Sequence, residues 1–100
     1  MLSVVKLRVD PADAPAVLGE AAAVLGGESK DRPGFLAGDI LVSHDRKTIV
    51  ILTEWVDRHA WSQSRYHSEV GEMLEHALAA SHAIEFEVYD RHARFAPPTA

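Results

Sequence analysis

The stretch Thr48-Ile49-Val50-Ile51-Leu52-Thr53-Glu54-Trp55-Val56 decides the fold. Its β-branched and aromatic content predicts a strand. A strand with one face in water alternates apolar and polar residues, and this one does not. Ile49, Ile51, Thr53 and Trp55 fall on one face, and Val50, Leu52, Glu54 and Val56 on the other, so both faces are mostly apolar. One face is expected to meet helices. The other needs a separate cover.

Working outward, Asp45-Arg46-Lys47 is a short polar link to a preceding strand over residues 35–44, which predicts an antiparallel hairpin. That strand reads Phe35, Ala37 and Leu41 against Leu36, Ile40 and Val42, again apolar on both sides. Pro33-Gly34 marks a turn after a charged, loop-like segment at residues 28–32. Before it, Asp10-Pro11 reads as a helix start. Ala14, Val17, Leu18, Ala21, Val24 and Leu25 recur at helical spacing, and Gly26-Gly27 supplies the stop. Residues 2–9 form a first strand. Downstream, Asp57 caps a second helix running to about residue 80, with Ala60, Ser64, His67, Gly71, Leu74 and Leu78 inward, a break near residues 66–68 and an end at Ser81-His82. A long last strand follows over residues 83–95.

The order βαββαβ predicts an α+β, ferredoxin-like fold: a four-stranded antiparallel sheet with two helices on one face. Residues 1–96 are expected to form one domain and residues 97–100 a tail. An uncovered apolar sheet face marks an interface, and the simplest cover is a second copy across a two-fold axis. A homodimer through the sheet face is the expectation. The plainer alternative is a short central strand that is apolar throughout.

Composition narrows the function. The chain has 100 residues, 47% of them apolar and 25% charged, with ten Lys+Arg against fifteen Asp+Glu and a net charge of −5. That balance argues against nucleic acid and against an anionic membrane as partners. No cysteine is present, which excludes a disulfide scaffold, a thiolate metal site and a Cys nucleophile. No signal-peptide pattern opens the sequence and no apolar run approaches ~18 residues, so a cytoplasmic protein is expected. The chain also lacks asparagine.

Pro33-Gly34-Phe35, followed by Glu54-Trp55-Val56-Asp57-Arg58-His59-Ala60-Trp61, resembles the antibiotic biosynthesis monooxygenase (ABM) domain. The likeness runs in order from Val4 to Phe95. It implies a dimeric α+β barrel and, among known activities, cofactor-free oxygenation of aromatic polyketides, haem degradation or quinol oxygenation. In the polyketide oxygenases the pocket lies between sheet and helices, and the deprotonated substrate itself donates an electron to O₂. No cofactor is then needed. Trp55 matches the family's strand-end Trp and Trp61 its helix aromatic. The Asn that helps stabilise the oxyanion falls at Ile51. The Asn, Trp and His of the haem-degrading members fall near Arg8, Ser64 and Met73, which argues against haem degradation.

His67, central on the inward helix face, is the candidate base for a phenolic proton because its pKa lies near neutrality; the plainer role is a histidine satisfied by a carbonyl at a helix break. Trp55 and Trp61 can stack a planar ligand or simply pack the core. Tyr66 and Arg65 can hold a carbonyl or phenolate oxygen, or face solvent. Thr53 faces the helices, and its hydroxyl can bond a ligand or neighbouring backbone. Glu72 and His76 lack a third ligand, so no metal is expected. The readings in play are a cofactor-free oxygenase of small aromatic or polyketide-type substrates, a non-catalytic aromatic-binding or regulatory module, and a polyketide cyclase or isomerase.

Overall fold

Two strands rich in Val, Ile and Leu occupy the middle of the sheet, because only central strands bury both edges and a full face. The computed structural model describes residues 1–26, 33–63 and 81–98, except the side chains of residues 81–84. The elements are β1 (Leu2–Val9), α1 (Ala14–Gly26), β2 (Phe35–Val42), β3 (Thr48–Trp55), α2 (Arg58–Gln63) and β4 (Ser81–Tyr89). The sheet is four-stranded, in the order β2-β3-β1-β4, and every pairing is antiparallel. This is the expected ferredoxin-like α+β arrangement.

Alternation sorts the sheet into two faces. Val5, Leu7 and Val9 of β1 and Ile49, Ile51 and Trp55 of β3 are buried together with Ala14, Val17 and Ala21 of α1. On α1, the stripe expected from helical spacing is the one that turns inward, with Leu18, Val24 and Leu25 packed half-buried around it. Leu2, Val4, Val50 and Leu52 are only half-buried on the opposite, open face.

Several boundaries differ from expectation. α1 begins at Ala14 instead of Pro11, because residues 11–13 form a tight turn in which the Asp13 amide donates to the Asp10 carbonyl at 2.9 Å. β2 stops at Val42, so Ser43 and His44 belong to the turn. The Ser43 hydroxyl donates to Asp45 Oδ1 at 2.6 Å and the Lys47 amide to the same oxygen at 3.0 Å. Arg46 there adopts φ 63°, which closes the turn. β4 starts at Ser81, two residues early, so Ser81-His82 is strand and not a helix end. It finishes at Tyr89, well before Phe95. The reason is register: Ser81 pairs with Val9 and Tyr89 with Leu2, so β4 spans what β1 offers and has no partner beyond it.

The faces of β2 also differ. A register shift between Phe35 and Ala37 inserts an extra residue, a β-bulge that reverses the alternation. Phe35 therefore shares the helix-facing side with Ile40 and Val42, opposite Trp55, Ile51 and Ile49, while Ala37 and Leu41 join the open face. Gly38 accommodates this: a Cβ there would lie 3.1 Å from the Phe35 ring. The loop expected at residues 28–32 and the second helix beyond residue 63 lie outside the described residues.

Candidate functional site

The ABM-like motifs, distant in sequence, meet at one end of the sheet. Gly34 takes φ 82°, and a Cβ there would collide with Ala60 on α2 and reach 2.8 Å from Val56 Cγ1. Only glycine fits both the left-handed backbone and the close approach. The Val56 amide donates to the Gly34 carbonyl at 2.8 Å. Asp57 caps α2 as expected, its Oδ1 accepting the Ala60 amide at 2.8 Å. The cap fixes the entry of α2 and so the position of Trp61.

Thr53 and Trp55 both point from β3 towards the helices, as the alternation requires, and both have no solvent exposure. The Trp55 indole N–H donates to Thr53 Oγ1 at 3.0 Å. Phe35 packs edge-on against Trp55, with centroids 5.2 Å apart and rings inclined at 74°, a geometry worth about 0.5–1.5 kcal/mol beyond area burial. Trp61 is half-buried on α2 and packs against the same core cluster. Thr53, Trp55 and Trp61 are thus gathered in the layer between β3 and α2. Arg65, Tyr66 and His67 lie outside the described residues, as do Ser64, Glu72, Met73 and His76.

Two residues on this helix-facing side escaped the sequence reading. Ser3, 5% exposed, lies directly across from Thr53 on β1. It is the one polar residue in the run Ser3, Val5, Leu7, Val9, and that interruption is a signal available in the sequence. Phe86 pairs with Val5 and shares its face, yet it is 60% exposed. The alternation of Glu85, Glu87 and Tyr89 against Phe86 and Val88 would have placed it there. A polar pair and an accessible aromatic therefore border the same surface.

Among the described residues, no group of three or more His, Cys, Asp or Glu is placed to hold a metal ion. No helix among them is long and apolar enough to cross a membrane.

A family model described as antibiotic biosynthesis monooxygenase matches residues 1–76. Among solved structures, a protein from Deinococcus radiodurans that bears the family's name superposes with a TM-score of 0.81 at 10% identity, over 98% of each chain. One from Nitrosomonas europaea, also bearing that name, gives 0.77 at 15% identity, over 91% of this chain and 88% of that one. A third, named antibiotic biosynthesis monooxygenase, gives 0.67 at 20% identity, over 91% of this chain and all of the other. At these identities the structures speak for the fold alone. Among the curated proteins none matches this chain.

Proposed function

The chain belongs to the antibiotic biosynthesis monooxygenase family, and from that premise we propose that it is a homodimer that oxygenates a small aromatic or polyketide-type substrate with O₂ and no cofactor. The observation that carries this reading is the family match over residues 1–76, which includes both meeting motifs. The substrate lies flat between sheet and helices, against Trp61 and Phe86, with Trp55 behind it. His67 removes a phenolic or activated C–H proton, and Arg65 and Tyr66 supply donors to the resulting oxyanion, while Thr53 orients Trp55 by accepting its indole N–H. The anion gives electrons to O₂. For a ring CH₂ oxidised to a ketone, one oxygen atom ends on carbon and the other leaves as water with the two hydrogens, so the substrate is itself the reductant. The walls exclude water from the anion. Residues 1–96 act as one domain, and the second copy covers the open sheet face.

The test is oxygen consumption by the purified protein with an anthrone- or quinol-type substrate, and its loss in His67→Ala. Unchanged turnover in that variant removes His67 as the base.

One observation favours a second reading, a non-catalytic aromatic-binding module of the same fold. The Trp55 indole N–H already donates to Thr53 Oγ1, and both residues are fully buried. Thermal stabilisation by an aromatic ligand without oxygen uptake would select that reading. A cyclase or isomerase would form product with O₂ excluded.

A further inference from the structure

Ser3 stands at a boundary on the helix-facing side of the sheet. Thr53 lies directly across from it on β3, and Val88 directly across on β4. On the β3 side the layer is closed, since Thr53 and Trp55 have no solvent exposure. On the β4 side it is open, with Val88 half-buried and Phe86 60% exposed. The Trp55 amide donates to the Met1 carbonyl at 2.8 Å, which ties the start of β1 to β3 and fixes the backbone that carries Ser3. Ser3 is 5% exposed, yet among the described residues its hydroxyl has no hydrogen-bond partner. Thr53 Oγ1, across the strand pair, is already engaged by the Trp55 indole N–H. A hydroxyl placed this deep without a partner is a cost to the fold, and an alanine at this position would avoid it.

We propose that the Ser3 hydroxyl binds the substrate, donating a hydrogen bond to a ketone or phenolate oxygen at the edge of a ring system that lies against Phe86. This rests on the aromatic-site reading above and adds the group that orients the ring. Phe86 pairs with Val5 and Val88 with Ser3, so Ser3 and Phe86 are diagonal neighbours on one face. Such neighbours stand roughly 7–8 Å apart, a span that a fused two-ring aromatic bridges. The wall between them is Val5 and Val88, both apolar. The surface is thus polar at one end and hydrocarbon along the rest. The ligand class that matches it is an aromatic with an oxygen at one edge and bare ring at the other. A serine hydroxyl is uncharged and can donate to a ketone and to a phenolate alike. A plain hydrocarbon seated there would cut the hydroxyl off from water and give nothing in return. Sites of this kind discriminate against analogues that lack the oxygen.

The test is equilibrium dialysis of the full chain under argon with 1-indanone and indane, which differ by a carbonyl oxygen in place of two hydrogens. The unmodified protein is compared with Ser3→Ala and Ser3→Cys. Ser3→Ala is expected to raise the Kd of 1-indanone about tenfold, the effect of losing one hydrogen bond at a buried site. Indane should bind as tightly as before or more so. Ser3→Cys keeps the shape but offers only a weak donor, so it should follow Ser3→Ala. Without ligand, the melting temperature of Ser3→Ala should hold or rise, because no partner within the fold is lost. An equal loss of both probes, full retention of 1-indanone, parent-like binding by Ser3→Cys, or a lower ligand-free melting temperature each overturns the assignment of Ser3. The assay needs no oxygen, so a chain that shows the expected pattern and never consumes O₂ keeps the Ser3 assignment and loses the oxygenase reading. An unmodified protein that binds neither probe removes the aromatic site, and the role of Ser3 with it.

Discussion

Trp55 and Thr53, two residues apart on β3, form a closed polar unit inside the core: the indole N–H donates to the threonine hydroxyl at 3.0 Å, and neither residue reaches solvent. This pair explains why a hydroxyl interrupts a face otherwise made of Ile49, Ile51 and Trp55. A buried indole N–H needs an acceptor, and residues at i and i+2 of a strand share a face.

Replacing Thr53 by Val keeps the shape and removes the acceptor. The expected cost is about 1–3 kcal/mol, the penalty for a buried donor left unpaired. Thr53→Ser should recover most of it. Urea denaturation of the three proteins measures the difference.

Gly34 makes a second prediction. Gly34→Ala must hold a left-handed backbone and push against Ala60 and Val56. Left-handed strain alone costs about 1–2 kcal/mol, and the displaced α2 adds to it. The loss in stability should exceed that of Gly38→Ala, where a Cβ meets mainly the edge of the Phe35 ring. Thermal melts of the two variants rank them.

Asp57→Ala removes the cap of α2 and is expected to cost about 1 kcal/mol, with Asp57→Asn nearly neutral. A change that leaves Asp57→Ala as stable as the parent contradicts the capping assignment.

Phe86→Ala separates binding from folding. The side chain is mostly exposed, so stability should change by less than about 1 kcal/mol. If a planar ligand stacks on this side of the sheet, affinity for an aromatic probe should fall about tenfold. Equal affinity in fluorescence titrations removes Phe86 from the site.

The Asp45 carboxyl sits below its ordinary value of 3.8, first because the Ser43 hydroxyl donates to it and then because the Lys47 amide does. A depressed folded pKa contributes stability above the unfolded value, and that contribution is lost as pH falls through the folded one. The β2–β3 turn should therefore keep its hydrogen bonds down to about pH 3.8 and loosen only below it. Carbon-detected NMR titration of Asp45 gives the midpoint, and Ser43→Ala should move it up.

Much of the fold was legible because it depends on patterns that sequence carries locally. β-branched and apolar content marked β1 and β3, spacing marked the inward stripe of α1, and Asp57 announced its own cap. The failures have non-local causes. The bulge after Phe35 depends on how β2 meets β3, and nothing in Phe35-Leu36-Ala37 alone distinguishes a bulge from straight alternation. The end of β4 depends on where β1 begins to offer partners. At the candidate site, Trp55 and Thr53 lie on the side that the alternation of β3 indicates, while Trp61 packs against the core although it falls off the centre of the expected inward helix face. Ser3 and Phe86 were missed because their importance lies in what stands across the sheet from them.

The proposed reaction is oxygenation of an aromatic substrate by means of the substrate's own electrons. The most direct measurement is turnover of an anthrone- or quinol-type substrate by chelator-treated protein, under ¹⁸O₂ and under argon. The proposed reaction leaves one labelled oxygen in the organic product under ¹⁸O₂, gives no turnover under argon, and is lost in His67→Ala. Product formed equally under argon, or tight aromatic binding with no oxygen uptake, would contradict it.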